Sequence, residues 1–184
     1  MSQSASPNPG EHGSGVPISA LRADAHELSS EDFEDSHGNA FLMLTAAELH
    51  RPAGPSMTVV NLESDDETSD HTAGLSLLAY PIHRTERSVG HLITLGRTAN
   101  NDVVIPDISV SRFHAFAKEV EGGGLAIQDA GSTNGTLVNS DSVPSQGHGP
   151  PMELKSGDSV RLGQVEFSYL DAHSLLDFLR AHEA

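Results

Sequence analysis

At 184 residues the chain has room for one domain with tails, or for two small ones. Its apolar share is 36%, below the roughly 45–50% of an average globular domain. The net charge of −16 argues against nucleic acid or an anionic membrane surface as the main partner, because both are held through Lys and Arg, and the lack of cysteine excludes disulfides and thiolate metal sites.

The charge is uneven: residues 1–73 carry 13 acids and two bases, residues 74–184 carry 13 acids and eight bases. The front part is also rich in Ser, Gly and Pro, so it buries too little apolar surface to offset the entropy of ordering its backbone. Residues 1–40 therefore read as a disordered tail, although Ser29-Ser30-Glu31-Asp32 can cap a short helix near Phe33. The start lacks the basic stretch and apolar run of a signal peptide. The longest apolar runs fall far short of the ~20 residues that span a bilayer, so the cytoplasm is the expected location. Residues 41–73 read as an acidic linker with two candidate docking strands, Phe41-Leu42-Met43-Leu44 and Met57-Thr58-Val59-Val60. Three roles are open to these: an extra edge element on the main domain, a partner-binding peptide, or loose chain. Glu63-Ser64-Asp65-Asp66-Glu67-Thr68-Ser69-Asp70 follows. On this reading residues 74–184 fold alone, and loss of residues 1–40 changes stability little.

From Gly74 the texture changes to short β-rich runs broken by turn residues. They cover 75–83, 91–95, 102–105, 115–120, 125–128, 136–138, 159–162 and 165–170, the signature of an all-β sandwich or barrel. Residues 172–182 differ, because Leu175, Leu176, Phe178 and Leu179 fall on one side of a helix, with Asp171 or Ser174 as N-cap. That helix is expected to pack on the sandwich.

The polar residues that need explaining lie in turns. Gly96-Arg97 ends one run, Ser111-Arg112-Phe113-His114-Ala115 opens another, and Asp129-Ala130-Gly131-Ser132-Thr133-Asn134-Gly135-Thr136 joins two more. Guanidinium, hydroxyl, amide and freed backbone N–H groups all suit an anion. With Asn101-Asp102-Val103-Val104-Ile105 and Leu154-Lys155-Ser156-Gly157-Asp158-Ser159-Val160-Arg161-Leu162-Gly163, these blocks in this order resemble the forkhead-associated (FHA) family over nearly all of residues 74–171. Each block is weak alone; the ordered set is specific.

The resemblance implies a β-sandwich of about eleven strands whose end loops bind a phosphothreonine peptide by the Arg-based mode of phospho-motif readers. Carried over by position, Arg97 contacts the phosphate, Ser111 completes its cradle, and Arg112 adds charge and a backbone N–H. Thr133 contacts the phosphate or the threonine methyl, and Asn134 holds the peptide backbone. Gly96, His114 and Gly135 are implied to be structural. The implied partner is a phosphothreonine protein, a Ser/Thr kinase or its substrate, with no cofactor. Asn139-Ser140 departs from the usual Asn-Gly, and residues 141–151 make a long loop. The resemblance also implies a rival: a self-regulated switch or phosphate-independent scaffold whose own tail, at Thr68 or Thr72, occupies the site. An enzyme is not expected, since Ser111 and His114 share one loop with no acid evidently placed to orient the imidazole. The 11 histidines are scattered with no His-x-x-x-His pair, so no metal is expected either.

Overall fold

Apolar runs between Gly- and Asn-containing turns form twelve strands among the residues that the computed structural model describes, 15–44 and 77–181 except 87, 89 and 122. One sheet has seven, in the order β1 (Val16–Pro17), β3 (Leu78–Pro81), β2 (Ala40–Leu44), β12 (Val165–Asp171), β11 (Ser159–Leu162), β8 (Thr136–Val138) and β9 (Asp141–Ser142). The other has five: β10 (Met152–Leu154), β7 (Leu125–Asp129), β6 (Ala115–Glu119), β4 (Leu92–Gly96) and β5 (Val103–Val104). Every pairing is antiparallel except β4 with β5. The sheets enclose a core in which Ile93, Leu95, Leu125 and Ile127 belong to one layer and Leu42, Leu44, Val160, Leu162 and Phe167 to the other. This is the sandwich that the β-run spacing predicts.

A second core lies on the outer face of the larger sheet. It is roofed by α1 (Ile18–Glu27), α2 (Ser30–His37) and α3 (Ala172–Ala181), and it gathers Ile18, Leu21, Phe33, Phe41, Ala79, Leu175, Leu176 and Leu179. In β2, Ala40, Leu42 and Leu44 join the inner core while Phe41 joins the outer one. A strand covered on both faces reads as an unbroken apolar run, which is why residues 41–44 show no polar alternation. Asp171 caps α3 by accepting the Ser174 N–H at 2.8 Å, and Ser29 caps α2 by accepting the Asp32 N–H at 3.2 Å. Arg180 ties the roof together: its guanidinium donates to the carbonyls of Ala25 (2.8 Å) and Leu28 (3.1 Å), which α1 leaves unpaired at its C-terminal end.

Composition assigns residues 1–40 to a disordered tail, and here the structure differs: residues 16–40 supply a strand, two helices and the start of β2. The reason is distribution. The large apolar residues of this segment, Val16, Ile18, Leu21, Leu28 and Phe33, all pack into or against the second core, while Glu27, Glu31, Asp32, Glu34 and Asp35 are exposed. Nor is β2 an edge element; it lies between β3 and β12, pairing Met43 with Ala79 and Leu44 with Phe167. A domain boundary at residue 74 would remove this inner strand. Residues 1–14, Met57-Thr58-Val59-Val60, Thr68 and Thr72 fall outside the described residues. β9 opens the long loop after Ser140 and pairs with β8, and β10, which follows the loop, pairs with β7. Asn139 and Ser140 take φ of +50° and +75°, the left-handed pair that a tight hairpin turn requires.

Phe33 separates a docked helix from a disordered tail. It is fully buried against His37 and Phe41, so Phe33→Ala should cost ~3–5 kcal/mol in a denaturant titration. An unchanged midpoint would show that residues 16–40 do not stay docked.

Candidate functional site

Three loops meet at one end of the sandwich: the one after β4, the one before β6, and the one joining β7 to β8. Gly96 allows the first two to touch. A Cβ there would lie 2.4 Å from the Arg112 carbonyl oxygen and 2.8 Å from Asn101 Nδ2, so no larger residue fits without moving the loop. The Arg97 N–H donates to the Ser111 carbonyl at 3.0 Å. Buried Asn101 donates to the carbonyls of Thr98 (2.8 Å) and Arg112 (2.7 Å), and the Thr98 hydroxyl also reaches the Arg112 carbonyl at 2.9 Å. The backbone that carries Arg112 is therefore pinned.

His114 joins the second loop to the third. It is fully buried; its Nδ1 accepts the Ser111 N–H at 2.9 Å, and its Nε2 lies 3.1 Å from the Gly135 carbonyl. A nitrogen that accepts carries no proton, so the neutral ring holds its hydrogen on Nε2 and donates it to Gly135. His114 takes the backbone N–H of Ser111 and not its hydroxyl, so the pair is no proton relay. Asp129 holds the third loop: Oδ1 accepts the N–H groups of Gly131 (2.8 Å) and Ser132 (2.9 Å), and Oδ2 accepts the hydroxyls of Ser132 (2.6 Å) and Thr136 (2.7 Å). Gly135, at φ +79°, turns the chain into β8.

Arg97, Ser111, Arg112, Thr133 and Asn134 all line one open cleft on these loops, together with Thr98, Asn100, Ile108, Ser109, Val110 and Phe113. Arg97 is half-buried and Arg112 exposed. Neither guanidinium has a hydrogen-bond or ion-pair partner among the described residues. Ser111 Oγ accepts the Thr133 N–H at 3.0 Å, leaving its own proton for a ligand or for Thr133 Oγ1 at 3.4 Å. Asn134 Nδ2 donates to the Ser109 carbonyl at 2.7 Å, which leaves Oδ1 to accept from a peptide N–H. Two forks of N–H donors beside two hydroxyls suit a tetrahedral anion.

Sequence reasoning missed several supports. Asn101 and Asp129 were visible only as parts of the family pattern, without roles. Gly163, at φ +65°, sits under the cleft, where a Cβ would come within 2.4 Å of the Ser109 carbonyl oxygen. Ile108 and Phe113 also line the cleft; their only signal is an apolar residue inside a polar turn. Among the described residues no His, Asp and Glu side chains are grouped to hold a metal ion, and no helix is long and apolar enough to cross a membrane.

Residues 93–163 match the FHA domain family model. The chain carries an FHA domain. It is 37% identical over 75 residues to the glycogen accumulation regulator GarA of Mycolicibacterium smegmatis, covering 41% of this chain and 43% of that protein. It is 33% identical over 78 residues to the oxoglutarate dehydrogenase inhibitor of Corynebacterium diphtheriae, covering 42% of this chain and 50% of the inhibitor. The chain thus spans half or less of the length of these relatives. A solved structure, the FHA-2 domain from a Mycobacterium tuberculosis ABC transporter, is 35% identical with a TM-score of 0.35, covering 46% of this chain and 76% of that domain.

Burial and hydrogen bonding at four ionisable groups set a pH dependence. Burial holds the His114 imidazole below its ordinary 6.5, against the pull of the Gly135 carbonyl and Asp129. Burial does the same to His83, opposed by Asp102. For Asp102 and Asp129 burial pushes upward, but hydrogen bonds outweigh it and hold both carboxyls below their ordinary 3.8; the donors are Thr85, Thr94 and Ser88 for Asp102, and Ser132, Thr136 and Gly131 for Asp129. In each case the unfolded chain takes up the proton first as pH falls. The histidine contribution is therefore complete above about pH 6.5 and lost as pH drops through the folded-state values; the aspartate contribution is lost below about pH 4. Circular-dichroism melts should show a midpoint that falls below about pH 6.5 and again below about pH 4. A midpoint that rises between pH 6.5 and 5 would contradict the buried neutral imidazoles.

Proposed function

We propose that this domain binds a phosphorylated threonine on a partner protein in Ser/Thr kinase signalling, as an adaptor that performs no chemistry of its own. The observation that carries the reading is the pair of unpartnered guanidiniums, Arg97 and Arg112, beside the Ser111 and Thr133 hydroxyls in one cleft. A phosphothreonine brings about −1.5 to −2 charge and three acceptor oxygens, which that donor set matches. Arg97 is the phosphate's main contact, Ser111 and Thr133 close the cradle, Arg112 adds charge, and Asn134 receives the peptide backbone. The two curated relatives are named for regulating glycogen accumulation and for inhibiting oxoglutarate dehydrogenase, which fits a module whose effect lies in what it docks on. The partner is a kinase of this type or its substrate.

Replacing Arg97 with Ala should weaken a phosphothreonine peptide by ~2–5 kcal/mol, at least about 30-fold, with an unchanged circular-dichroism spectrum. Arg97→Lys should recover only part, since the point charge survives and the two-pronged geometry does not. A folded Arg97→Ala protein that binds as tightly as the wild type would sink the assignment.

A topological observation favours a second reading, in which the domain is a switch occupied by its own chain. β2 ends at Leu44, level with Phe167, and β12 begins at Val165 just after the Gly163 turn beneath Ser109. The described segments therefore end at Leu44 and resume at Leu77 at the end that carries the cleft. Thr68 and Thr72 lie between these points. Under this reading, kinase treatment phosphorylates one of them and abolishes binding of an outside phosphopeptide. Mass measurement paired with titration checks this, and phosphorylation there without loss of binding would exclude it.

A further inference from the structure

The cleft holds an apolar feature that phosphate binding does not use. Among the described residues the exposed large hydrophobics are Ile108, 60% exposed, and Phe113, 46% exposed, and both line the cleft. Single exposed apolar residues are ordinary on a protein surface. Two that share one pocket, while the other large apolar side chains are covered, are a different observation.

Neither owes its exposure to loose chain. Asp107 Oδ1 accepts the Ser109 N–H at 2.8 Å and its hydroxyl at 2.5 Å, and the Val110 N–H returns to the Asp107 carbonyl at 3.1 Å, so Ile108 sits at the tip of a closed turn. Ser109 is held again by Asn134 and by the Gln164 N–H at 3.0 Å. Phe113 lies between the pinned carbonyl of Arg112 and the His114 N–H, which donates to Leu95 at 2.9 Å. Side chains on backbone fixed in this way lose little freedom when a ligand covers them.

We propose that Ile108 and Phe113 form an apolar rim that selects phosphothreonine ligands bearing a large aliphatic or aromatic side chain beside the phosphoresidue. The proposal rests on the phosphothreonine reading and adds the chemistry of the flanking residue. Charge supports the same choice. The chain carries −16, so an acidic flank would add repulsion at close range, whereas an apolar flank gains by leaving water against Ile108 and Phe113.

The experiment titrates the full chain with phosphothreonine peptides whose flanks are all Ala, or carry one Leu at each flanking position in turn. The unphosphorylated all-Ala peptide is the control. The wild type should prefer Leu over Ala at one position by about tenfold. Ile108→Ser and Phe113→Ser should bring that Leu-to-Ala ratio near one, and Phe113→Leu should keep it, since Leu preserves an apolar surface. A wild-type ratio near one at every position overturns the rim while the phosphate reading stands, as does a ratio that survives both Ser variants. An analytical ultracentrifugation run in which Phe113→Ser only dissolves a dimer, with the ratio unchanged, would assign the patch to self-association instead. Equal binding of phosphorylated and unphosphorylated peptides removes the phosphate reading, and the rim with it.

Discussion

The imidazole of His114 is the point at which the two layers of the sandwich are made to agree. It immediately precedes β6 of the smaller sheet, yet its Nε2 grips Gly135, which leads into β8 of the larger one. Its other nitrogen fixes Ser111, and so the distance between Ser111 and Thr133 follows from one rigid ring. A neutral imidazole suits this place because it offers one donor and one acceptor on opposite sides of a flat ring. Lys or Arg could only donate, and would leave the Ser111 N–H without its acceptor. Gly96 and Gly163 extend the same logic: each lets a backbone approach the cleft loops more closely than a Cβ allows.

An acidic protein proposed to bind an anion has to keep its own carboxylates out of the cleft. The loops do this by occupying them. Asp102 accepts from Thr85, Thr94 and Ser88, Asp107 from Ser109, and Asp129 from the turn it organises. The acids serve as cores of local turns, with their lone pairs directed inward, and the cleft presents guanidinium and hydroxyl groups. The acids of α1 and α2 sit on helices that roof the outer face of the larger sheet, and exposed charges more than a Debye length apart, roughly 8 Å at physiological salt, are largely screened.

Legibility in the sequence followed local density. Residues 92–138 announced themselves because strand, turn and strand succeed each other at short range, each with its own turn chemistry, and the five cleft residues sit in those turns. The Asp171 cap and the apolar stripe of α3 were readable for the same reason. Residues 16–40 were legible only at the Ser29 cap, and residues 41–44 only as a candidate docking strand. The large apolar residues of 16–40 are sparse, and they become sufficient only when pooled with Leu175, Leu176 and Leu179 from the far end of the chain. Averaging composition over the first 73 residues mixed this docked segment with acid-rich chain and hid it. The roles of Asn101 and Asp129 were hidden differently, since both act through carbonyls and N–H groups whose positions only a fold defines.

The placement of β2 has a consequence for how the protein is made. Ala40 pairs with Asp171 and Leu44 with Phe167, so an early strand sits in a slot whose far wall is the last strand. Closing that slot carries the loop-closure entropy of most of the chain, and contacts of such separation form late in folding. The cleft loops, by contrast, belong to strands adjacent in sequence. During synthesis the recognition end is thus able to organise while the larger sheet still has a gap at its centre. Until β12 leaves the ribosome, β2 and β11 each present an unpaired edge. The slowest step of folding, and the most exposed to misassociation, then concerns the seam on β12 and not the end that carries the cleft.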